Sequence, residues 1–290
     1  MDAAGRLGLA GFSATAVTFG PACNGYGLFL PAVPASSRDR ALSIISTGTT
    51  LGVAITGLAA AYGLPWRAAW SAFAAGSLAV AALNAALLPR GPANTEKTKT
   101  PGWPGLGWFW CAASAPLFGV ALSFGVVNAV YWSFAVDLVS GATGSGPVTG
   151  PLLYVALGIF GFSGLATGDA VARFGLRLTL AATLVALGLA AGLLGLAPGS
   201  LPAVAASAVL FGSGVMFMSA LLSVWSSDVF RERPSTGFSS ALLLFGIGSV
   251  AGPAVAGAAA ERYGLGGIFV LVGALAISTA LVRPASKSAT

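Results

Sequence analysis

Histidine is absent from this 290-residue chain, and charged residues make up only 8% of it. Without an imidazole, the sequence excludes histidine-based zinc sites, Ser-His-Asp triads and Cys-His pairs. The only two cysteines, Cys23 and Cys111, lie in apolar surroundings and provide neither a disulfide framework nor a metal-ligand spacing. We therefore expect no metal and no cofactor.

The shortage of charge also excludes an ordinary soluble globule. Soluble domains carry about a quarter charged residues, whereas 56% of this chain is hydrophobic. A surface so poor in charge requires lipid as its solvent. The net charge is +6, but the 14 basic residues lie almost entirely between apolar runs and are not interleaved with aromatics. We therefore expect the lipid bilayer, and not nucleic acid, as a partner.

Long apolar runs account for most of the sequence. A transmembrane helix needs about 20 mainly apolar residues. The first run is longer than the apolar core of a signal peptide, about 7–15 residues, so we expect it to remain as a span. The sequence predicts an all-α, polytopic transmembrane bundle of about nine spans, which cover residues 8–33, 42–62, 67–88, 108–136, 150–169, 177–197, 201–225, 236–259 and 265–282.

A polar interval over residues 89–106 separates these spans into two groups. It contains Pro, Gly, Lys and Thr without apolar periodicity, which is typical of a linker. We expect three spans in residues 1–88, a cytoplasmic linker over 89–106 and six spans in 107–290. This topology leaves 11 of the 14 basic residues on the cytoplasmic side, as the positive-inside rule requires. We expect a multi-pass protein of the bacterial inner (plasma) membrane with a cytoplasmic C-terminus.

Two regions of the chain repeat one glycine spacing at an offset of 200 residues. The preceding loops are also similar, since residues 38–40 and 231–233 each place an acid between two arginines. Spans one to three therefore resemble spans seven to nine in the same orientation, as in a parallel repeat. Chance similarity between helices rich in small residues is the alternative. The corresponding glycines are Gly48, Gly52 and Gly57 in the first copy and Gly248, Gly252 and Gly257 in the second.

The second copy reads G-x-x-x-G-P-x-x-x-G, with Pro253 directly after Gly252. Glycines at this spacing make a flat stripe that lets another helix approach closely. The proline removes the hydrogen bond to the Ser249 carbonyl and allows a bend. In the first copy, Val53 replaces the proline. The pattern resembles that of the fifth and eleventh helices of the major facilitator superfamily, which makes these glycines and the proline candidates for a packing and conformational motif.

A second pattern, between spans five and six, resembles the loop between helices two and three, or eight and nine, of that family. In the family this loop, roughly G-x-x-x-D-R-x-G-R-R, locks the cytoplasmic side through charge pairing. Here Ala172 stands where the aspartate belongs, and Asp169 lies one turn earlier. Basic residues that anchor a cytoplasmic loop are the alternative. The candidate residues of this cytoplasmic gate loop are Gly168, Asp169, Arg173, Gly175 and Arg177.

The resemblance implies more spans than the sequence contains. Members of the family typically have twelve spans in two six-helix halves, and the nine spans predicted here resemble helices four to twelve. We therefore expect residues 1–88 to be a partial N-terminal half that resembles helices four to six. A misplaced start of the chain and a true truncation are the two explanations for the difference.

The resemblance also indicates where a substrate would bind. In the family the cavity is lined mainly by helices one, four, seven and ten, and the last three correspond to spans one, four and seven here. Span four carries an amide, a phenol and an indole at spacings of three and four, which provide donors, acceptors and flat apolar area. Interhelical hydrogen bonds and an interfacial aromatic belt are the alternative. The candidate substrate-binding residues are Asn24, Tyr26, Asn128, Tyr131, Trp132, Tyr154, Met216 and Ser219.

No acid lies at a predicted midplane, so the sequence provides no case for proton coupling. An intramembrane enzyme would need paired acids or a nucleophile–base pair, and a channel would need a ring of charges or a filter loop. The sequence shows none of these features, so it predicts neither an intramembrane enzyme nor a channel. We expect a secondary carrier, and not an enzyme, that moves a small organic solute by alternating access. A truncated, non-transporting remnant of such a carrier is the alternative. The oligomeric state is left open.

Overall fold

The computed structural model describes residues 38–63, 65–87, 109, 113–144 and 149–284, and regular structure within these ranges is entirely helical. The first predicted span and the predicted linker therefore lie outside the described residues. The helices are α1 (Arg38–Ala61), α2 (Trp66–Leu87), α3 (Ser114–Thr143), α4 (Thr149–Gly161), α5 (Thr167–Leu196), α6 (Leu201–Val229) and α7 (Pro234–Thr279), with a 3-10 turn over Phe162–Ala166 between α4 and α5.

Four stretches of the described chain are long and apolar enough to cross a membrane: Ser114–Thr143, Thr149–Leu196, Leu201–Val229 and Thr236–Thr279. The last of these has 44 residues. As one straight helix it would be roughly 66 Å long, about twice the thickness of the hydrocarbon core. The second stretch, with 48 residues, is longer still. Each of these two stretches therefore has to bend back on itself.

The chain reverses at Gly264, whose φ of 70° and ψ of 157° are not helical. Before this bend, Gly252 packs on the Val126 backbone of α3. After it, the Thr279 hydroxyl lies 2.7 Å from the Ser123 hydroxyl, also on α3. A straight helix would separate residues 252 and 279 by roughly 40 Å, so α7 has to be a helical hairpin. Its first arm is residues 234–263 and its second arm is residues 265–279.

A second reversal occurs at Gly175, with φ of 78° and ψ of 158°. The Thr179 hydroxyl donates to the Ala170 carbonyl at 3.4 Å, although nine residues separate the two. The first arm of α5 is thus residues 167–174, and the second arm is residues 176–196. Both bends need glycine because this backbone conformation is closed to residues with a Cβ. Each also follows an aromatic residue, Phe174 and Tyr263 respectively.

The reversals fall at the predicted boundaries between spans five and six and between spans eight and nine. The fold is thus an all-helical bundle with apolar helices of membrane length, as predicted. The full count of nine spans stays a prediction, since the first of them is outside the described residues. The parallel repeat also stays a prediction.

The contact between α3 and the first arm of α7 is made through backbone, with Gly125, Gly248 and Gly252 at its centre. We call this contact the glycine seam. An added Cβ at Gly248 would overlap the Leu122 carbonyl oxygen, and one at Gly252 would lie 3.0 Å from the Val126 Cα. The helices can therefore approach this closely only where side chains are missing.

The other predicted glycine stripe makes a different contact. Gly57 of α1 packs on α4, where an added Cβ would lie 2.8 Å from the Val155 backbone nitrogen. Gly52 has no heavy atom within 4 Å of its Cβ position among the described residues. In the second stripe, the Cβ position of Gly257 is 3.9 Å from the Phe134 ring, and Pro253 is half-buried. Equal spacing along the chain thus corresponds to unequal packing.

Large apolar side chains lie on the outside of the bundle as well as in its core. Leu178, Val250 and Leu281 are exposed by 59%, 77% and 81% of their surfaces. Exposed apolar surface costs about 25 cal/mol per Å² in water, so an outer surface of this kind indicates lipid. The described side chains of α2 are also largely exposed, including Trp70 and Leu78.

Candidate functional site

Three of the predicted substrate-binding residues meet in one place, where α3 faces α4. The Trp132 indole N–H donates to the Asn128 side-chain oxygen at 3.0 Å. The Tyr154 ring of α4 lies 5.1 Å from the Trp132 ring, with the two planes at 57°. Asn128 and Trp132 are one helical turn apart on α3, which is why their side chains reach each other. We call Asn128, Trp132 and Tyr154 the amide–aromatic cluster.

The hydrogen bonds of the cluster leave part of its capacity unused. Asn128 is only 8% exposed, yet its amide nitrogen has no hydrogen-bond partner among the described residues and is not sealed from the surface. The Tyr154 hydroxyl makes one long hydrogen bond, to the Trp132 carbonyl at 3.4 Å. Because an amide nitrogen carries two donors, Asn128 can still bind an acceptor. The cluster is thus able to hold a small polar group against two flat rings.

Tyr131 faces away from this cluster. It is fully buried, and its hydroxyl lies 2.8 Å from that of Ser207 on α6. Ser207 in turn donates to the Ala190 carbonyl of α5 at 2.7 Å. The Tyr131 ring stacks on the Phe211 ring at 3.5 Å between centroids. In this structure Tyr131 thus joins α3 to α5 and α6, and its role in substrate binding stays a prediction.

The remaining candidates do not contact the cluster. Met216 of α6 is buried against Gly161 and Gly164, near the 3-10 turn. Ser219 is half-buried, and its hydroxyl donates to the Val215 carbonyl of its own helix at 2.9 Å. Asn24 and Tyr26 lie outside the described residues.

Phe211 is the residue of this region that the sequence did not single out. Its ring contacts Tyr131 on one side and lies 6.0 Å from the Trp132 ring, edge to face, on the other. Ser207, four residues earlier on the same helix face, was not predicted either. A hydroxyl residue and an aromatic residue four positions apart are only a weak indication of a functional site. Whether they contact another polar residue depends on the partner helix.

The predicted gate loop forms the bend of α5. Gly175 is the bend itself, and Gly168 is half-buried in the first arm. Asp169, Arg173 and Arg177 are exposed. The recorded contact of Arg173 is with the neighbouring Phe174 ring, 5.4 Å from its guanidinium carbon. Among the described residues no ion pair joins Asp169 to either arginine, so the charge-paired latch stays a prediction.

Charged and metal-binding groups are missing from the interior of the described bundle. The five acids whose side chains the structure describes are all exposed: Asp137, Asp169, Asp228, Glu232 and Glu261. No group of three potential metal ligands occurs in the same part of the chain. The described interior therefore presents amides, hydroxyls and aromatic rings, and no carboxylate.

Apolar helices of membrane length and an apolar outer surface define an integral, multi-pass membrane protein. The chain belongs to the family described as "Uncharacterised MFS-type transporter YbfB", whose family model it matches over residues 8–283. This match confirms the predicted membership of the major facilitator superfamily, which is a family of membrane transporters and not of enzymes. No curated protein and no solved structure matches the chain.

Proposed function

We propose that this protein is a secondary carrier that moves a small, uncharged organic solute by alternating access. The observation that carries the proposal is the Trp132–Asn128 hydrogen bond, which holds an amide with an unused donor inside the bundle. In the proposed topology nine spans cross the bacterial inner membrane, and the C-terminus and the bend at Gly175 are cytoplasmic. The proposed parallel repeat relates spans one to three to spans seven to nine.

The chemistry of the cluster supports an uncharged solute. A buried charge needs a paired partner, and the described interior contains no carboxylate that would pair with a cation. The Trp132 and Tyr154 rings, inclined at 57°, form an apolar corner. The Asn128 amide nitrogen provides a donor at the edge of this corner. A solute with an apolar ring face and a hydrogen-bond acceptor, such as an aromatic amide or a sugar, matches these three features.

The packing around the cluster supports rigid-body motion. The Tyr131 hydroxyl and its ring contacts join α3 to α6, and the glycine seam joins α3 to α7. Through Ser207 these contacts also reach α5, so they hold α3, α5, α6 and α7 together as one unit, which in this proposal rocks against the preceding spans. Substrate bound to Asn128 would then be accessible from one side of the membrane or from the other, depending on the orientation of this unit.

The test is a transport assay with purified full-length protein in proteoliposomes. A panel of labelled neutral aromatic amides and sugars is first screened for counterflow. For the solute that is moved, Trp132→Phe removes the N–H that fixes Asn128, and Asn128→Ala removes the amide. We expect each to reduce the initial rate by about 5–13-fold, because one hydrogen bond contributes on the order of 1–1.5 kcal/mol.

The matched control is Trp70→Phe, since Trp70 is 58% exposed on α2 and its ring lies beside that of Phe73 on the same helix. This variant should transport at the wild-type rate. Wild-type rates for Asn128→Ala and Trp132→Phe would remove the cluster from the substrate site. If no solute of the panel is moved, a non-transporting protein becomes the better description.

A further inference from the structure

An open groove runs along the outside of the bundle, between the two arms of α5 and α6. It encloses about 500 Å³. Its walls are formed mainly by Phe174, Leu178, Ala182, Ala186, Gly214 and Phe217. We call it the α5–α6 groove. It is separate from the amide–aromatic cluster, none of whose residues lines it.

The groove is apolar even where its lining residues carry hydroxyls. The Thr179 hydroxyl donates to the Gly175 carbonyl at 2.9 Å, and the Thr183 hydroxyl donates to the Thr179 carbonyl at 2.7 Å. The Ser213 hydroxyl donates to the Phe160 carbonyl at 3.2 Å. Each hydroxyl is thus turned to the backbone and leaves carbon at the groove surface. A polar solute would lose its hydration there without a replacement hydrogen bond, whereas a hydrocarbon chain would not.

The shape of the groove matches an extended hydrocarbon chain. From Leu178 to Ala186 it follows α5 for roughly 12 Å, at the usual helical rise. Phe174 and Leu178 are more than half exposed at one end, so relative to the described helices the groove opens outward and not into the bundle. In a membrane protein such a surface is in contact with lipid. The neighbouring molecules that can enter it are therefore lipid chains.

The same end of the groove is basic. Arg173 and Arg177 flank the Gly175 bend and are both exposed. The Arg173 guanidinium lies over the Phe174 ring, which forms part of the groove wall. The second arm of α5 has 21 residues after the bend and is thus roughly 31 Å long, enough to cross the hydrocarbon core. This length places the bend, and both arginines, at the level of the lipid headgroups.

We propose that the α5–α6 groove binds one phospholipid with an anionic headgroup. The acyl chain lies along Leu178, Ala182 and Ala186, and the phosphate contacts Arg173 and Arg177. Guanidinium groups suit this contact because their N–H fork matches two phosphate oxygens. Asp169 is the one acid of the gate loop, so the two arginines leave a net positive charge there. A headgroup with its own cation would be repelled by this charge.

The test measures thermal unfolding of the full-length protein in detergent with added dioleoyl phosphatidylglycerol or dioleoyl phosphatidylcholine. The two lipids have the same acyl chains, so only the headgroup differs. We expect phosphatidylglycerol to raise the Tm by roughly 5 °C at a hundredfold excess over its Kd, and phosphatidylcholine to raise it much less. In native mass spectrometry, the wild type should retain one more phosphatidylglycerol than the Arg173→Gln, Arg177→Gln variant.

The variants separate the two parts of the site. Arg173→Gln with Arg177→Gln should lose the phosphatidylglycerol increment, and Ala182→Leu should reduce it by filling the groove while the arginines stay. The matched control is Arg262→Gln, because Arg262 also precedes an aromatic residue and a glycine bend and lies over the Tyr263 ring at 5.7 Å. It does not line the groove, and this variant should keep the full increment.

Three results would overturn the proposal. One is an equal increase in Tm on addition of phosphatidylglycerol in the wild type and in the double arginine variant. Another is an equal effect of the two lipids, which would mean bulk acyl contact. The third is an equal effect of glycerol 3-phosphate, which would mean a site for the headgroup anion alone. If Ala182→Leu does not fold, the arginine variants decide, since both side chains are exposed. Transport is not measured, so failure here leaves the proposed carrier function untouched.

Discussion

Replacing Gly248 with alanine tests the glycine seam between α3 and α7. The added Cβ would overlap the Leu122 carbonyl oxygen and would also lie 3.0 Å from the Val126 backbone nitrogen. Both opposing atoms belong to backbone, so no side-chain rotamer change can relieve the overlap. The two helices would have to move apart along the seam. Overpacking of this kind costs about 1–3 kcal/mol in folded proteins.

Gly246, two residues earlier in the same arm, provides the matched control. Its Cβ position has no heavy atom within 4 Å among the described residues. Alanine there meets open space and gains helix propensity, which contributes about 0.5–1 kcal/mol. Gly248→Ala receives the same gain, so its net loss should be about 0–2.5 kcal/mol. We therefore expect changes in stability of opposite sign for two identical substitutions within one helical turn.

The assay is thermal unfolding in dodecyl maltoside, followed by circular dichroism, with the wild type and both variants at equal protein concentration. Each kcal/mol corresponds to roughly 2–4 °C in Tm for chains of about this size. We expect Gly248→Ala to unfold several degrees below Gly246→Ala, with the wild type between them. If the two variants shift the Tm by the same amount in the same direction, the close backbone contact at Gly248 is refuted.

Two further substitutions test the bends and the buried hydroxyls. Gly264→Ala should lose about 1–3 kcal/mol of stability, because φ is 70° there, while Gly192→Ala, in an open helical position, should be neutral or stabilising. Ser223→Ala should be neutral or stabilising, because this buried hydroxyl has no hydrogen-bond partner among the described residues. Ser207→Ala should lose about 1–3 kcal/mol, because it removes the bond to Ala190 and leaves the buried Tyr131 hydroxyl without its Ser207 partner. Equal Tm values within either pair would contradict these assignments.

Hydrophobic length alone was enough to predict most of the described helices. The predicted spans 42–62 and 201–225 overlap α1 and α6 almost completely. Glycine after an aromatic residue marks both reversals, at Gly175 and Gly264, because those positions need a conformation that only glycine adopts readily. The 3-10 turn at Phe162–Ala166 was not predicted. A change in hydrogen-bond pattern within an apolar helix does not alter the amino-acid composition, so composition cannot predict it.

The candidate site was only partly predictable, since helix faces are chosen by partner helices. Spacing four correctly paired Asn128 with Trp132. The same reasoning placed Tyr131 beside them, although neighbouring residues on a helix are separated by about 100°. Tyr131 turns instead to Ser207 on α6, where a hydroxyl partner is available. The sequence of α3 alone does not indicate on which side of the helix Tyr131 finds a hydrogen-bond partner.

The position of Phe211 explains how α6 affects the cluster without contacting Asn128. Its ring stacks on Tyr131 at 3.5 Å and meets the edge of Trp132 at 6.0 Å. The indole is therefore held between Phe211 and Tyr154, on two different helices. The indole N–H of the same residue donates to Asn128. We therefore infer that a shift of α6 against α3 would change the ring contacts of the group that fixes the Asn128 amide.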